Sequence, residues 1–175
     1  MPLNIEIKAR SNRLDEIREL LRSWGARELG TDHQTDTYFH CPKGRLKLRE
    51  GNIEHSLIHY ERPDQEGPKR SEVSLYHPKE PGPELKEVLT QAFGVWKTVK
   101  KAREIFFVEN VKIHLDTVDG LGTFVEIEAI DRDGNIGELR LLQQCEEMMA
   151  AFSIEPADLL AQSYSDMTPE KGEVT

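Results

Sequence analysis

A chain of 175 residues with 37% hydrophobic and 31% charged side chains suits one domain with a real core. Its net charge of −9, from 23 basic against 32 acidic residues, argues against a general nucleic-acid or anionic-membrane binder. No apolar run reaches membrane-spanning length, MPLNIEIKAR lacks the core of a secretion signal, and Cys41 and Cys145 form neither a metal-type spacing nor a disulfide framework, so a cytoplasmic setting is expected.

Residues 3–10 alternate, with Ile5, Ile7 and Ala9 on one face and Glu6, Lys8 and Arg10 on the other, Asn4 beginning the polar row. Asn12 reads as a helix cap, followed by Leu14, Ile17, Leu20, Leu21 and Trp24 at helical spacing and Gly25 as the stop. Residues 35–39 are rich in β-formers. Residues 45–50 then set Arg45, Lys47 and Arg49 against Leu46 and Leu48, and Gly51-Asn52 turns the chain into a strand ending at Arg62. A weaker strand is read over 69–76, and three prolines between 77 and 83 exclude regular structure there. Residues 84–93 read as a short helix, and a basic run (Lys97, Lys100, Lys101, Arg103) precedes apolar Ile105-Phe106-Phe107-Val108. Helices are expected over 135–152 and 155–162, and a frayed polar tail over 168–175 leaves a single domain at 1–167.

The most informative stretch is the hairpin VKIHLDTV-DGLG-TFVEIEAI, residues 111–130. Val111, Ile113 and Leu115 share one face; Lys112, His114 and Asp116 share the other, as Glu126 and Glu128 do on the second arm. A loop at Gly120-Leu121-Gly122 sets Asp116 across from Glu126 and His114 across from Glu128. Carboxylates stacked across a hairpin repel unless a cation lies between them, and a hard divalent ion is the natural one. Solvated acids on a half-buried sheet explain the pattern equally well. His114 could be a ligand or base, with a structural hydrogen bond to Glu128 favoured; Asp36 reads evenly as cap or site, and the other histidines as surface or turn residues.

The fold class expected is α+β: about eight antiparallel strands closing into a barrel or tunnel, helices packed outside and charges inside. Two strands are nearly all cationic on their polar face and the hairpin nearly all anionic, which fits a lumen holding a polyanion with a metal on the acids.

These residues resemble the CYTH superfamily of class IV adenylyl cyclases, thiamine triphosphatases and inorganic triphosphatases. The resemblance is carried by Asn4-Ile5-Glu6-Ile7-Lys8-Ala9-Arg10, Asp36-Thr37-Tyr38-Phe39, Arg45-Leu46-Lys47-Leu48-Arg49, Tyr60-x-Arg62-Pro63, Lys100-x-x-Arg103, Ile113-x-Leu115-Asp116, Phe124-x-Glu126-x-Glu128 and the ending Ser163-Tyr164-Ser165-Asp166-Met167. It implies an eight-stranded triphosphate tunnel using Mg²⁺ or Mn²⁺. Glu6, Asp116, Glu126 and Glu128 are then metal-side carboxylates, and Lys8, Arg10, Lys47, Arg49, Arg62 and Arg103 triphosphate ligands. Glu6, Lys8 and Arg103 are the implied catalytic residues. Asn4 stands where the family's signature has its first Glu, and an amide adds neither charge nor a base. The implied partner is a triphosphate-containing small molecule, with no nucleic acid and no membrane, and a homodimer is left open. A class IV cyclase-like enzyme is the leading expectation. A triphosphatase, a non-catalytic nucleotide or polyphosphate binder and a structural barrel remain as alternatives.

Overall fold

The computed structural model describes residues 3–61, 65–70, 72–80 and 82–169. In chain order the elements are β1 (Leu3–Arg10), α1 (Leu14–Ser23), β2 (Arg27–Phe39), β3 (Arg45–Glu50), β4 (His55–Glu61), β5 (Lys69–Arg70), β6 (Glu72–Tyr76), α2 (Pro83–Phe93), β7 (Val95–Val108), β8 (Val111–Val118), β9 (Gly122–Asp131), α3 (Glu138–Ala151) and α4 (Tyr164–Met167). The described strands form one antiparallel sheet in the order β5-β1-β9-β8-β7-β2-β3-β4-β6. Its two edge strands, β5 and β6, are one residue apart in sequence, so the sheet curls into a nearly closed barrel. Nine strands replace the expected eight because the single strand read over 69–76 splits, one part pairing with β1 and the other with β4.

Period-2 alternation decides what faces outward. Ile5, Ile7 and Ala9 of β1, Val111, Ile113 and Leu115 of β8, and Val125, Ile127 and Ala129 of β9 form one buried core with Leu14, Ile17 and Leu21 of α1 and Leu141 and Cys145 of α3. A second cluster joins Phe39 and Leu48 to Leu89 of α2. A third gathers Tyr38, Val99, Val118 and Phe124 around Tyr164 of α4, at the end of the barrel where Leu121 of the β8–β9 loop also packs. Each fully buried aliphatic or aromatic side chain contributes about 1.5–3 kcal/mol, so helices outside and charges inside is the arrangement that keeps this surface dry.

Several local expectations are corrected. Arg13, not Asn12, is the N-cap of α1, and it carries no side-chain cap bond; Gly25 supplies the positive φ of 70° that lets the chain leave the helix. Residues 155–162 hold only a three-residue 3-10 turn at Pro156–Asp158. Thr168 is not part of a loose tail, since its carbonyl accepts a hydrogen bond from Lys97 Nζ at 2.6 Å. The β8–β9 loop is residues 119–121, with Val118 opposite Gly122. Asp116 therefore faces Phe124, His114 faces Glu126 and Lys112 faces Glu128. The expected carboxylate stack across this hairpin is absent.

Candidate functional site

Register places the like-charge pair one strand further on. β1 and β9 set Glu6 opposite Glu128 and Lys8 opposite Glu126. Burial, then Glu6, pushes the Glu128 carboxyl up to about 7. Asn4 Nδ2 donates to Glu128 Oε1 at 2.7 Å, while Asn4 Oδ1 is buried with no hydrogen-bond partner among the described residues.

These groups line a cavity of about 900 Å³ inside the barrel. Glu6, Lys8, Lys47, Arg49, Arg103, Glu126 and Glu128 reach it, as sequence reasoning expected. Arg10 does not line it: the side chain is exposed, lies over the Phe124 ring at 4.9 Å and donates to the Leu121 carbonyl at 3.1 Å. Asp116 does not line it either. Its carboxylate is fully buried, takes both Arg103 Nε (2.7 Å) and Nη2 (2.6 Å), and accepts the Tyr164 hydroxyl at 2.7 Å. Arg62 lies outside the described residues.

Asp36 plays the matching part on the other side of β7, on β2. It takes Arg49 Nε at 2.9 Å and Nη2 at 2.8 Å, with Lys101 Nζ at 2.8 Å and Lys47 Nζ at 3.2 Å. Burial disfavours its charge, but Arg49, Lys101 and Lys47 outweigh that and hold the carboxyl well below its ordinary range. Asp36 and Asp116 thus fix two guanidinium groups from behind the cavity wall, which is the cheapest way to bury them. Sequence reading left Asp36 between two roles; the geometry makes it an anchor for cations.

Three further lumen residues were given no role from sequence. Lys101 lies two residues before Arg103 on the same strand face, a spacing that could have revealed it; burial, reinforced by Arg49 and Arg103, brings its ammonium down to about 7. Lys112 shares the polar row of His114 and Asp116, and pairs with Glu54. Glu54 also takes Arg49 Nη1 at 3.2 Å, and because it lies in the β3–β4 turn no periodic signal marks it.

Glu126 is shared. Its Oε2 meets Lys8 Nζ at 3.4 Å and Arg103 Nη2 at 3.6 Å, and these two cations overcome burial to hold its carboxyl well down. Its Oε1 faces His114 Nδ1 at 3.4 Å, which is not a hydrogen bond, and the expected bond from His114 to Glu128 is not made. Burial and Arg103 hold the imidazole down at about 4, so it is neutral at pH 7.

Among the described residues no three His, Cys, Asp or Glu side chains are gathered closely enough to hold a metal ion in this arrangement. The donor chemistry nevertheless fits one. Glu6 and Glu128 repel across paired strands, and the orphaned Asn4 oxygen lies on the same wall, so a divalent cation would relieve both.

Residues 2–164 match the CYTH domain. The chain belongs to the CYTH family. A protein of Methanocaldococcus jannaschii named putative adenylate cyclase is 26% identical to it, over 94% of this chain and 98% of that one. The PH1012 protein of Pyrococcus horikoshii shares its fold with a TM-score of 0.77 at 21% identity, covering 95% of this chain and 99% of the other. A Hippeastrum protein, described as a putative adenylyl cyclase that reveals a dominant triphosphatase activity, has a TM-score of 0.64 at 16% identity over 95% and 93% of the two chains. Both likenesses are of fold. Among the described residues no helix is long and apolar enough to cross a membrane.

Proposed function

We propose that this CYTH protein is a metal-dependent enzyme of the class IV adenylyl cyclase type, converting ATP to cyclic AMP and pyrophosphate. The observation that carries the reading is the convergence of Lys8, Lys47, Arg49, Lys101, Arg103 and Lys112, from four strands, on one cavity that Glu6, Glu126 and Glu128 also line. Such a set neutralises a polyphosphate and fixes its orientation, Arg49 and Arg103 through forks already aligned by Asp36 and Asp116.

Glu6, Glu126 and Glu128 would hold Mg²⁺ or Mn²⁺, whose charge would offset that of the phosphates. Asp116, turned to Arg103, is left out of that set. In the cyclase reaction the ribose 3′-hydroxyl attacks the α-phosphorus and pyrophosphate leaves. Lys8 and Arg103, which lie 3.4 Å and 3.6 Å from Glu126 Oε2, would neutralise the charge of the leaving group. The M. jannaschii relative supports the cyclase reading over nearly the whole of both chains.

A triphosphatase is the second reading, favoured by the activity described for the Hippeastrum protein. The same clamp serves both, with water in place of the ribose hydroxyl. Incubating the protein with ATP or inorganic triphosphate and Mg²⁺ or Mn²⁺, then identifying products by mass, separates them. Cyclic AMP with pyrophosphate is expected; inorganic phosphate assigns the hydrolase. Tight triphosphate binding with neither product would leave a binding module whose chemistry is weakened at Asn4.

A further inference from the structure

Tyr164 enters the lumen from α4 rather than from a strand, and it is 3% exposed. Its helix is fixed from several sides. Ser163 and Asp166 form a capping box, Asp166 takes Arg45 Nη2 at 2.9 Å, and the Thr168 carbonyl accepts from Lys97. The Phe124 ring packs against Tyr164 with 4.9 Å between centroids.

Lys8 and Arg103 lie on the outer two of the adjacent strands β1-β9-β8-β7, and Glu126 and Asp116 stand between them on the inner two. Glu126 Oε2 faces both cations, and Asp116 takes the Arg103 fork. Tyr164 completes the circuit. Its ring carries the Lys8 ammonium 4.0 Å from the centroid, and its hydroxyl donates to Asp116 Oδ2 at 2.7 Å. Burial, then Asp116, pushes that hydroxyl well above the ordinary tyrosine range, so it stays a donor. A lysine ammonium is a point charge on a flexible stem, so its place is set by what surrounds it. Glu126 constrains Lys8 from one side and the aromatic face from another.

We propose that Tyr164 is a positioning residue: its ring sets the Lys8 ammonium and its hydroxyl, through Asp116, sets the Arg103 fork, so that both cations meet a bound triphosphate already aligned. The inference rests on the triphosphate reading above and adds to it the residue that aligns two of its cations. Alignment made before binding spares the ligand the cost of ordering those side chains.

Calorimetry on the full chain measures binding of a nonhydrolysable ATP analogue. Tyr164→Leu should weaken it about tenfold, and Tyr164→Phe, which restores the ring, should recover most of that loss. In a double-mutant cycle Tyr164→Leu should add little to Lys8→Met. Val118→Ala loosens the same apolar cluster without lining the cavity, and should lower stability while keeping affinity. NMR with isotope-labelled lysine needs no Tyr164 variant, so it stands even if Tyr164→Leu misfolds. The Lys8 Cε signal, assigned by its loss in Lys8→Met, should be displaced by the ring current and stay so when the analogue binds. An undisplaced Lys8 signal overturns the proposal, as does full affinity in Tyr164→Leu, equal loss in the Phe and Leu variants, or additivity with Lys8→Met. Affinity lost in Val118→Ala as well would make the effect one of packing, and overturns it too. No analogue bound by the wild type defeats the triphosphate reading itself, and this inference with it.

Discussion

Individual lumen side chains carry opposing electrostatic loads, and two of them make measurable predictions. Glu128 has its folded value raised to about 7 by burial and Glu6, so the unfolded chain releases that proton first. Its contribution to stability is therefore complete below the ordinary carboxyl range and is lost as pH rises through about 7. Glu128→Gln should remove that slope and gain about 1–2 kcal/mol at pH 8 in denaturant titrations, a discounted figure because the cavity admits water. Lys101 behaves oppositely: burial leaves its amine largely neutral at pH 8, with a value of about 7. A bound triphosphate restores the charge, so binding at pH 8 should take up close to one proton. Calorimetry in buffers of different ionisation heat checks this, and Lys101→Met should abolish the uptake. Arg49→Ala should weaken triphosphate binding about 10- to 100-fold with little unfolding, because Asp36 keeps Lys101 and Lys47. Arg103→Ala is not so clean, since Asp116 would lose its two-pronged cation and keep only the Tyr164 hydroxyl.

Among the elements, the β3–β4 turn does more than reverse the chain. Buried Asp32 accepts the backbone N–H of Ile53 at 2.8 Å and of Glu54 at 2.9 Å, which holds Glu54 against Arg49 and Lys112. Gly51 is required by space: a Cβ there would stand 2.5 Å from Asp32 Oδ1 and 2.7 Å from the Glu54 carbonyl. Gly51→Ala should therefore cost about 1–3 kcal/mol in equilibrium unfolding, the price of a disturbed buried carboxylate. The same mutation should loosen Glu54, visible as altered amide exchange at residues 53 and 54. The β8–β9 hairpin shows how a turn sets partners. Both Gly120 and Gly122 adopt positive φ (73° and 108°), so glycine placement alone does not say which three residues form the loop.

The whole molecule separates stability from binding by putting them on opposite faces of one sheet. Leu141 of α3 is fully buried in the cluster on the outer face and does not line the cavity. Leu141→Ala should cost about 2–5 kcal/mol of unfolding free energy and leave triphosphate affinity unchanged in the folded fraction. A concurrent loss of affinity would mean that the outer core, not the lumen alone, shapes the site.

Alternation along β1, β3, β8 and β9 determined from sequence alone which side chains face inward, because a strand's period is two whatever it pairs with. That is why Glu6, Lys8, Lys47, Arg49, Glu126 and Glu128 were legible. The hairpin register was misread by two residues, an even slip that keeps every face but changes every partner. Partners are what tertiary structure decided: that Glu6 rather than Asp116 opposes a carboxylate, that Asp36 and Asp116 anchor arginines, that Arg10 ends outside the cavity, and that Glu54 enters it from a turn. Those outcomes depend on which strand lies alongside which and where each one ends, and local periodicity carries neither.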